Sequence, residues 1–294
     1  MLKRDTLKLK SVLFGEGLTG FRVVFPFSGP QKASLLFIHG MWGTADQFFA
    51  VMAFCAMLGY DCWCINLSGH AGSGLTSIED VDFARYVRDV QEAITYIASE
   101  NSGLPIVPVG HSFGGLIAQD VTKKDGGKLV KTAIFIGTAP PRAIFLRGSI
   151  IWHILRHVGF YLRVMCFKKP FMIKKTGAMK FLFNGMRRSD AEVLWDKLVP
   201  ESGMAAAELM LWRSIRIEPG MPCPTLVIAA TEDKLIPRRV LKKVAKYYGS
   251  KYEELYGNHM MIEGSHFEID DLGDTIDIFI EKALSKEFFP ATAA

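Results

Sequence analysis

No stretch of about 18 uncharged apolar residues occurs in the chain, so no membrane-spanning helix is expected. The nearest candidate, Ala50–Tyr60, is too short. Cysteine is sparse and odd in number: Cys55, Cys62, Cys64, Cys166 and Cys223, with no CxxC pair. That spacing suits neither a zinc site nor a disulfide framework, and no metal or organic cofactor is expected. All five are read as reduced structural thiols, which fits a cytoplasmic setting. The opening MLKRDTLKLKSVLFGEG is basic but lacks the apolar core of a signal peptide, so none is expected. Internal repeats and low-complexity tracts are absent. Acidic residues nearly vanish from 142–190, where Asp190 stands alone against eleven Lys/Arg. Elsewhere 24 basic residues face 29 acidic ones, so the net charge of +5 hides a basic segment on a mildly acidic body. Such a segment suits peripheral contact with an anionic membrane, or else forms a solvated face. No nucleic-acid-binding motif accompanies it, and nothing in the sequence marks an oligomeric state.

What is present is material for a large core: 294 residues, 49% hydrophobic and only 22% charged. Three short strands are predicted first, Thr6–Phe14, Phe21–Phe27 and Ser34–His39, separated by Gly and Pro clusters. Strands then alternate with helices. A helix over Ala45–Leu58 ends at Gly59, and the strand Asp61–Leu67 follows. In Val81–Ser99 the apolar residues Phe83, Val87, Val90, Ile94 and Ile97 recur every three or four positions, as one helical face requires. The strand Ile106–Gly110 runs into a helix from Phe113, and Lys131–Gly137 is the sixth strand. Residues 142–215 read as mostly helical, without a strand. The alternation resumes with strand Thr225–Ala230, helix Arg238–Tyr248, strand Lys251–Tyr256 and a helix over Leu272–Ser285. This rhythm implies a mostly parallel central sheet covered by helices on both faces, an α/β class.

The segment Gly110-His111-Ser112-Phe113-Gly114 is G-x-S-x-G, placed between an apolar strand and a helix. A turn that sharp needs small residues two before and two after the serine, and it lifts the hydroxyl clear of the sheet. A serine hydroxyl is a weak nucleophile, so a histidine must take its proton and a carboxylate must orient that histidine. In a parallel sheet these groups belong at the carboxyl ends of strands. There Asp233 and its neighbour Glu232 follow the strand Thr225–Ala230. His259 lies just beyond the last strand, and His266 is its rival further on. An alternative role for Asp233 is to cap the helix beginning near Pro237. His70 is expected to stabilise its own turn, and His111 to pack beside the elbow.

With His39-Gly40-Met41-Trp42-Gly43, Leu67-Ser68-Gly69-His70-Ala71-Gly72-Ser73, Thr231-Glu232-Asp233-Lys234-Leu235-Ile236-Pro237 and Gly257-Asn258-His259-Met260-Met261, the chain resembles the α/β-hydrolase superfamily over nearly its whole length. Within it the resemblance is to monoacylglycerol lipase, lysophospholipase and small esterase types. The resemblance favours Asp233 over Glu232, through the family's D-x-x-[VI]-P pattern. It implies a serine esterase or lipase with Ser112, Asp233 and His259 as catalytic residues. It also implies an oxyanion hole of the Met41 and Phe113 backbone N–H groups, and a substrate pocket with Gly40, Trp42 and His111. It divides the chain into a core, 1–141 and 216–294, and a helical cap, 142–215, inserted after the sixth strand. The cap's aromatics and methionines would suit a lipophilic acyl ester such as a monoacylglycerol or lysophospholipid. The same residues would serve a thioesterase, an acyltransferase or a C–C bond hydrolase, and a non-catalytic ligand-binding protein on this fold is a further reading. Dehalogenases and epoxide hydrolases are disfavoured, because they carry Asp where this chain has Ser112.

Overall fold

The computed structural model describes residues 7–15, 17–24, 29–74, 76–101, 103–144, 169–211 and 215–285. Its centre is an eight-stranded sheet. The strands are β1 (Lys8–Phe14), β2 (Leu18–Val24), β3 (Ser34–Ile38), β4 (Asp61–Ile65), β5 (Ile106–His111), β6 (Ala133–Ile136), β7 (Thr225–Ala230) and β8 (Lys251–Leu255). Their spatial order is β1-β2-β4-β3-β5-β6-β7-β8. β2 runs antiparallel to β1 and β4, and all pairs from β4 to β8 are parallel.

The helices are α1 (Phe49–Met57), α2 (Phe83–Glu100), α3 (Phe113–Asp125), α4 (Lys175–Phe181), α5 (Arg188–Asp196), α6 (Gly203–Leu211), α7 (Arg238–Tyr248) and α8 (His266–Leu284). Alternate residues of each central strand feed two cores, because successive side chains point to opposite faces. Leu36, Ile38, Trp63, Ile65, Phe135 and Val227 meet α2, α3 and α7 on one face. Leu35, Phe37, Cys62, Cys64, Ile134 and Ile228 meet α1 and α8 on the other. The face predicted for α2 is buried at Phe83, Val87, Val90, Ile94 and Ile97. Cys55, Cys62, Cys64 and Cys223 are free thiols, and Cys166 lies outside the described residues.

Several boundaries differ from the sequence prediction by a residue or more, and four of them have a visible cause. β2 begins at Leu18, because Gly20 is a strand residue and not part of the turn. A Cβ there would sit 2.1 Å from the Cys64 carbonyl oxygen, so β2 and β4 approach too closely for any side chain. The helix predicted from Ala45 opens as a 3₁₀ turn, Ala45–Phe48. α2 starts at Phe83, where the Asp82 side chain accepts the Arg85 N–H. α8 starts at His266, six residues before the predicted Leu272, because Ser265 and Glu268 form a reciprocal capping box.

Between β6 and β7 the described chain carries α4, α5 and α6 and no strand beyond one isolated bridge, Phe171 with Glu201. Ala178, Leu182, Phe183, Ala191 and Leu198 join the α1/α8 core, while Ala205 joins the other. The aromatics Phe145, Trp152, Phe160, Tyr161, Phe167 and Trp212, assigned to the cap from sequence, lie outside the described residues. Several described cations of the basic segment are engaged: Arg187 with Asp190, and Arg188 and Lys175 with Glu192. No described helix is long and apolar enough to cross a membrane.

Candidate active site

The carboxyl ends of the parallel strands form one rim, and Ser112 stands on it between β5 and α3. Its backbone is at φ 53°, ψ −116°, a strained conformation for a residue with a side chain. Three glycines make the turn possible. A Cβ on Gly110 would meet the Gly114 carbonyl oxygen at 2.3 Å, and one on Gly114 would meet the Ile38 carbonyl oxygen at 2.3 Å. One on Gly115 would meet Thr138 Oγ1 at 2.5 Å. Backbone therefore packs on backbone around Ser112. The Ser112 N–H is tied to the Ile136 carbonyl, and the Ser112 carbonyl accepts from Ala139 and Gly115.

Ser112 Oγ lies 3.0 Å from His259 Nε2, and His259 Nδ1 lies 2.8 Å from Asp233 Oδ2. The other Asp233 oxygen accepts the Leu235 and Ile236 N–H groups at 2.7 and 2.8 Å. Asp233 thus orders the turn before α7 while its second oxygen faces the imidazole. Of the sequence alternatives, Glu232 and His266 are exposed, and the structure brings neither to Ser112. Gly137, at the end of β6, takes the left-handed φ of 50° that favours glycine, and a Cβ there would make only ordinary contact with Asp233 Oδ2, at 3.6 Å. An imidazole with a carboxylate on Nδ1 and a hydroxyl on Nε2 can accept the hydroxyl proton and return it.

The loop after β3 lies against this serine. A Cβ on Gly40 would come within 2.9 Å of Ser112 Cβ. The Gly40 carbonyl accepts from His39 Nδ1 at 2.9 Å and from the Gly43 N–H at 3.2 Å. His39 Nε2 in turn accepts the Leu67 N–H at 3.1 Å. The peptide is trans, so fixing the Gly40 carbonyl turns the Met41 N–H the opposite way. Phe113 is the first residue of α3, and its N–H has no acceptor within the helix. Its ring is core, packed against Phe83 and Tyr86. Trp42, at φ 61°, sets its ring edge-on to Phe171 of the inserted segment.

His111 is buried and bonds the His259 carbonyl through Nε2 at 2.8 Å, while its ring lies 4.9 Å from the His259 ring. Burial, with His259 nearby, pushes His111 down to about 3, and burial with His70 nearby does the same to His39. Both therefore stay neutral in the fold where an unfolded chain would protonate them. Each destabilises the fold as pH drops below 6.5, by about 1.4 kcal/mol per unit. Glu263, pushed up to about 7 by burial, holds a proton in the fold that the unfolded chain releases above 4.5, so it offsets one histidine in this window. His70 is held above 6.5, and its contribution is lost only as pH rises. Urea unfolding at pH 5 is expected to give a stability about 2 kcal/mol lower than at pH 6.5. An equal or higher stability at pH 5 would contradict the neutral assignment of these histidines.

Sequence reasoning missed two residues of the inserted segment. Asn184 donates to the Glu232 carbonyl, beside Asp233, and its own carbonyl accepts from Asn258, beside His259. Glu201 lies 3.4 Å from the Trp42 N–H. Neither sits in a motif, and only the folded contacts expose them. Among the described residues no three His, Cys, Asp or Glu side chains gather as a metal site would.

Comparison with known sequences decides the family: residues 35–271 match the Alpha/beta hydrolase family. The chain belongs to that family. Its fold is the α/β-hydrolase fold, and solved structures share it at low identity. A soluble variant of monoglyceride lipase from Saccharomyces cerevisiae, in complex with a substrate analog, is 13% identical with a TM-score of 0.73, covering 96% of this chain and 97% of the other. Alpha/beta hydrolase domain-containing protein 10 from mouse is 16% identical with a TM-score of 0.61, covering 94% and 99%. A thioesterase domain from the curacin biosynthetic pathway is 16% identical with a TM-score of 0.59, covering 91% and 99%. No curated protein matches this hydrolase in sequence.

Proposed function

We propose that the chain is a serine hydrolase that cleaves carboxylic esters of lipophilic acyl groups through an acyl-enzyme on Ser112. The observation that carries this reading is the unbroken series Ser112 Oγ, His259 Nε2, His259 Nδ1, Asp233 Oδ2 on the strand-end rim. In the proposed reaction His259 removes the Ser112 proton as the oxygen attacks the ester carbonyl carbon. The resulting oxyanion is met by the N–H groups of Met41 and Phe113, each worth about 3 kcal/mol in such sites. Collapse expels the alcohol, which takes its proton from His259. Water, deprotonated by the same histidine, then attacks the acyl-enzyme and releases the acid. Asp233 holds the Nδ1–H tautomer throughout.

Gly40, Trp42 and His111 belong to the pocket side in this reading, with 142–215 as the cap over a core of 1–141 and 216–294. The Trp42–Phe171 pair supports an apolar acyl site, as does the fold shared with a monoglyceride lipase. The basic segment adds peripheral contact with an anionic membrane, weakening as salt rises. A fluorophosphonate probe is expected to label Ser112 in the folded chain, with the site read by peptide mass spectrometry. In an ester panel, kcat/KM is expected to rise at least tenfold from acetyl to long-chain monoacyl substrates, because each buried methylene contributes about 0.8 kcal/mol. Label on another residue would remove the serine mechanism, and equal turnover of acetyl and long-chain esters would remove the lipophilic substrate. Thioesters in the same panel test the thioesterase alternative, which the curacin domain's fold keeps in view.

A further inference from the structure

Glu201 lies in the turn between α5 and α6 and is 1% exposed. A carboxylate so buried needs partners for its lone pairs, and it has three hydrogen-bond donors and one imidazole within ion-pair distance. Tyr86 Oη, on α2, donates to Oε1 at 2.6 Å, and the Ser202 N–H donates to the same oxygen at 2.7 Å. His70 Nε2 lies 3.5 Å from Oε2, and the Trp42 N–H donates to Oε2 at 3.4 Å. Burial opposes the charge, but His70, Tyr86 and the Ser202 N–H outweigh it and hold this carboxyl below its ordinary range.

Trp42 follows Met41 directly. The Gly40 carbonyl, on one side of Met41, is held by His39 and Gly43. The Trp42 N–H, on the other side, is held by Glu201, and the Trp42 carbonyl accepts from the Val199 N–H at 3.0 Å. Both backbone polar groups of Trp42 are therefore bonded to the inserted segment 199–201. At φ 61° a bulky residue keeps such a backbone only when its surroundings over-determine it. Glu201 and Val199 supply that constraint. The bridge between Glu201 and Phe171, whose ring meets Trp42, closes the same unit.

We propose that Glu201 is a positioning residue for the oxyanion site: from the inserted segment it clamps the peptide after Met41, so that the Met41 N–H stays aimed beside Ser112. The proposal rests on the serine-hydrolase reading above, with Met41 as an oxyanion donor. Glu201 itself touches no reacting atom.

The test compares wild type and Glu201→Gln, with each kcat divided by the Ser112 sites that a fluorophosphonate labels to completion. Glutamine keeps the shape and can still accept from Tyr86 and Ser202. Its NH₂ group, however, then faces the Trp42 N–H and His70 Nε2 and can accept from neither. A misaligned donor is expected to lower kcat per labelled site by about 10–100-fold, less than the roughly 10²–10³-fold of a lost donor. KM for a medium-chain p-nitrophenyl ester should change less than threefold, because the donor acts on the oxyanion and not on the bound ester. Glu201→Asp, which keeps the charge, should recover part of the loss. Wild-type kcat per labelled site in Glu201→Gln would overturn the proposal even if the melting temperature fell, since Glu201 would then serve the fold alone. Should Glu201→Gln not fold, Tyr86→Phe removes one bond to Oε1 and leaves the charge, and a fewfold loss in kcat is expected. Unchanged kcat in both Tyr86→Phe and Glu201→Asp would overturn the proposal equally. If wild-type Ser112 takes no label, the hydrolase reading falls first and this role with it, which separates the two failures.

Discussion

Replacing Ser112 by alanine is expected to lower kcat by about 10⁶, to the level that binding and oxyanion contacts sustain without a nucleophile. In the proposed mechanism the effect is that large because His259 serves one hydroxyl, that of Ser112, 3.0 Å from Nε2. Without the hydroxyl, the histidine has no proton to take and Asp233 has no working base to orient, so their contributions disappear together and not in sequence. The fold should survive the change. Alanine keeps the Cβ, the same φ of 53°, the Ser112 N–H bond to Ile136 and the carbonyl bonds to Ala139 and Gly115. A melting temperature within a few degrees of wild type is therefore expected, with KM nearly unchanged. The measurement is ester turnover, with protein purified away from host esterases, since contamination of one part in 10⁴ would mask the result. Retained turnover above about 1% of wild type would place the nucleophile elsewhere.

The elbow was legible because its demands fall on small residues at fixed offsets from Ser112. Gly110, Gly114 and Gly115 pack against backbone or Thr138, and those contacts admit no side chain, so the chemistry is written directly into residue types. The strand and helix rhythm was legible for a similar reason, since burial on one face imposes a period of its own. Element ends were less so. Gly20 reads as punctuation until β4 is beside it, and the start of α8 depends on whether Ser265 and Glu268 meet. The choice of Asp233 over Glu232 needed family resemblance, because adjacent acids on a rim are equivalent in composition and differ only in which one folds inward. Glu201 and Asn184 carried no mark at all. Each acts on backbone groups more than 40 positions away, and no local spacing records a bond to a remote peptide.

Asp233→Asn is expected to lower kcat about 10⁴-fold while leaving the chain folded. The two oxygens of Asp233 do separate jobs, and asparagine can keep only one of them. Its carbonyl oxygen can still accept from Leu235 and Ile236, which preserves the turn before α7. The NH₂ group is then left at the Oδ2 position, 2.8 Å from His259 Nδ1, where a donor must be met by an acceptor. His259 is forced to carry its proton on Nε2, the nitrogen that faces Ser112, and can no longer remove the serine proton. The histidine's second anchor stays in place, because His111 holds the His259 carbonyl and not its ring nitrogens. The loss should therefore fall on kcat, with KM close to wild type. Glu232→Gln is the matched control: its side chain is exposed, only its backbone joins the network, and turnover within twofold of wild type is expected. If Asp233→Asn retained more than a tenth of wild-type kcat, the carboxylate would be reduced to its bonds with Leu235 and Ile236, and the histidine would need another partner to set its tautomer.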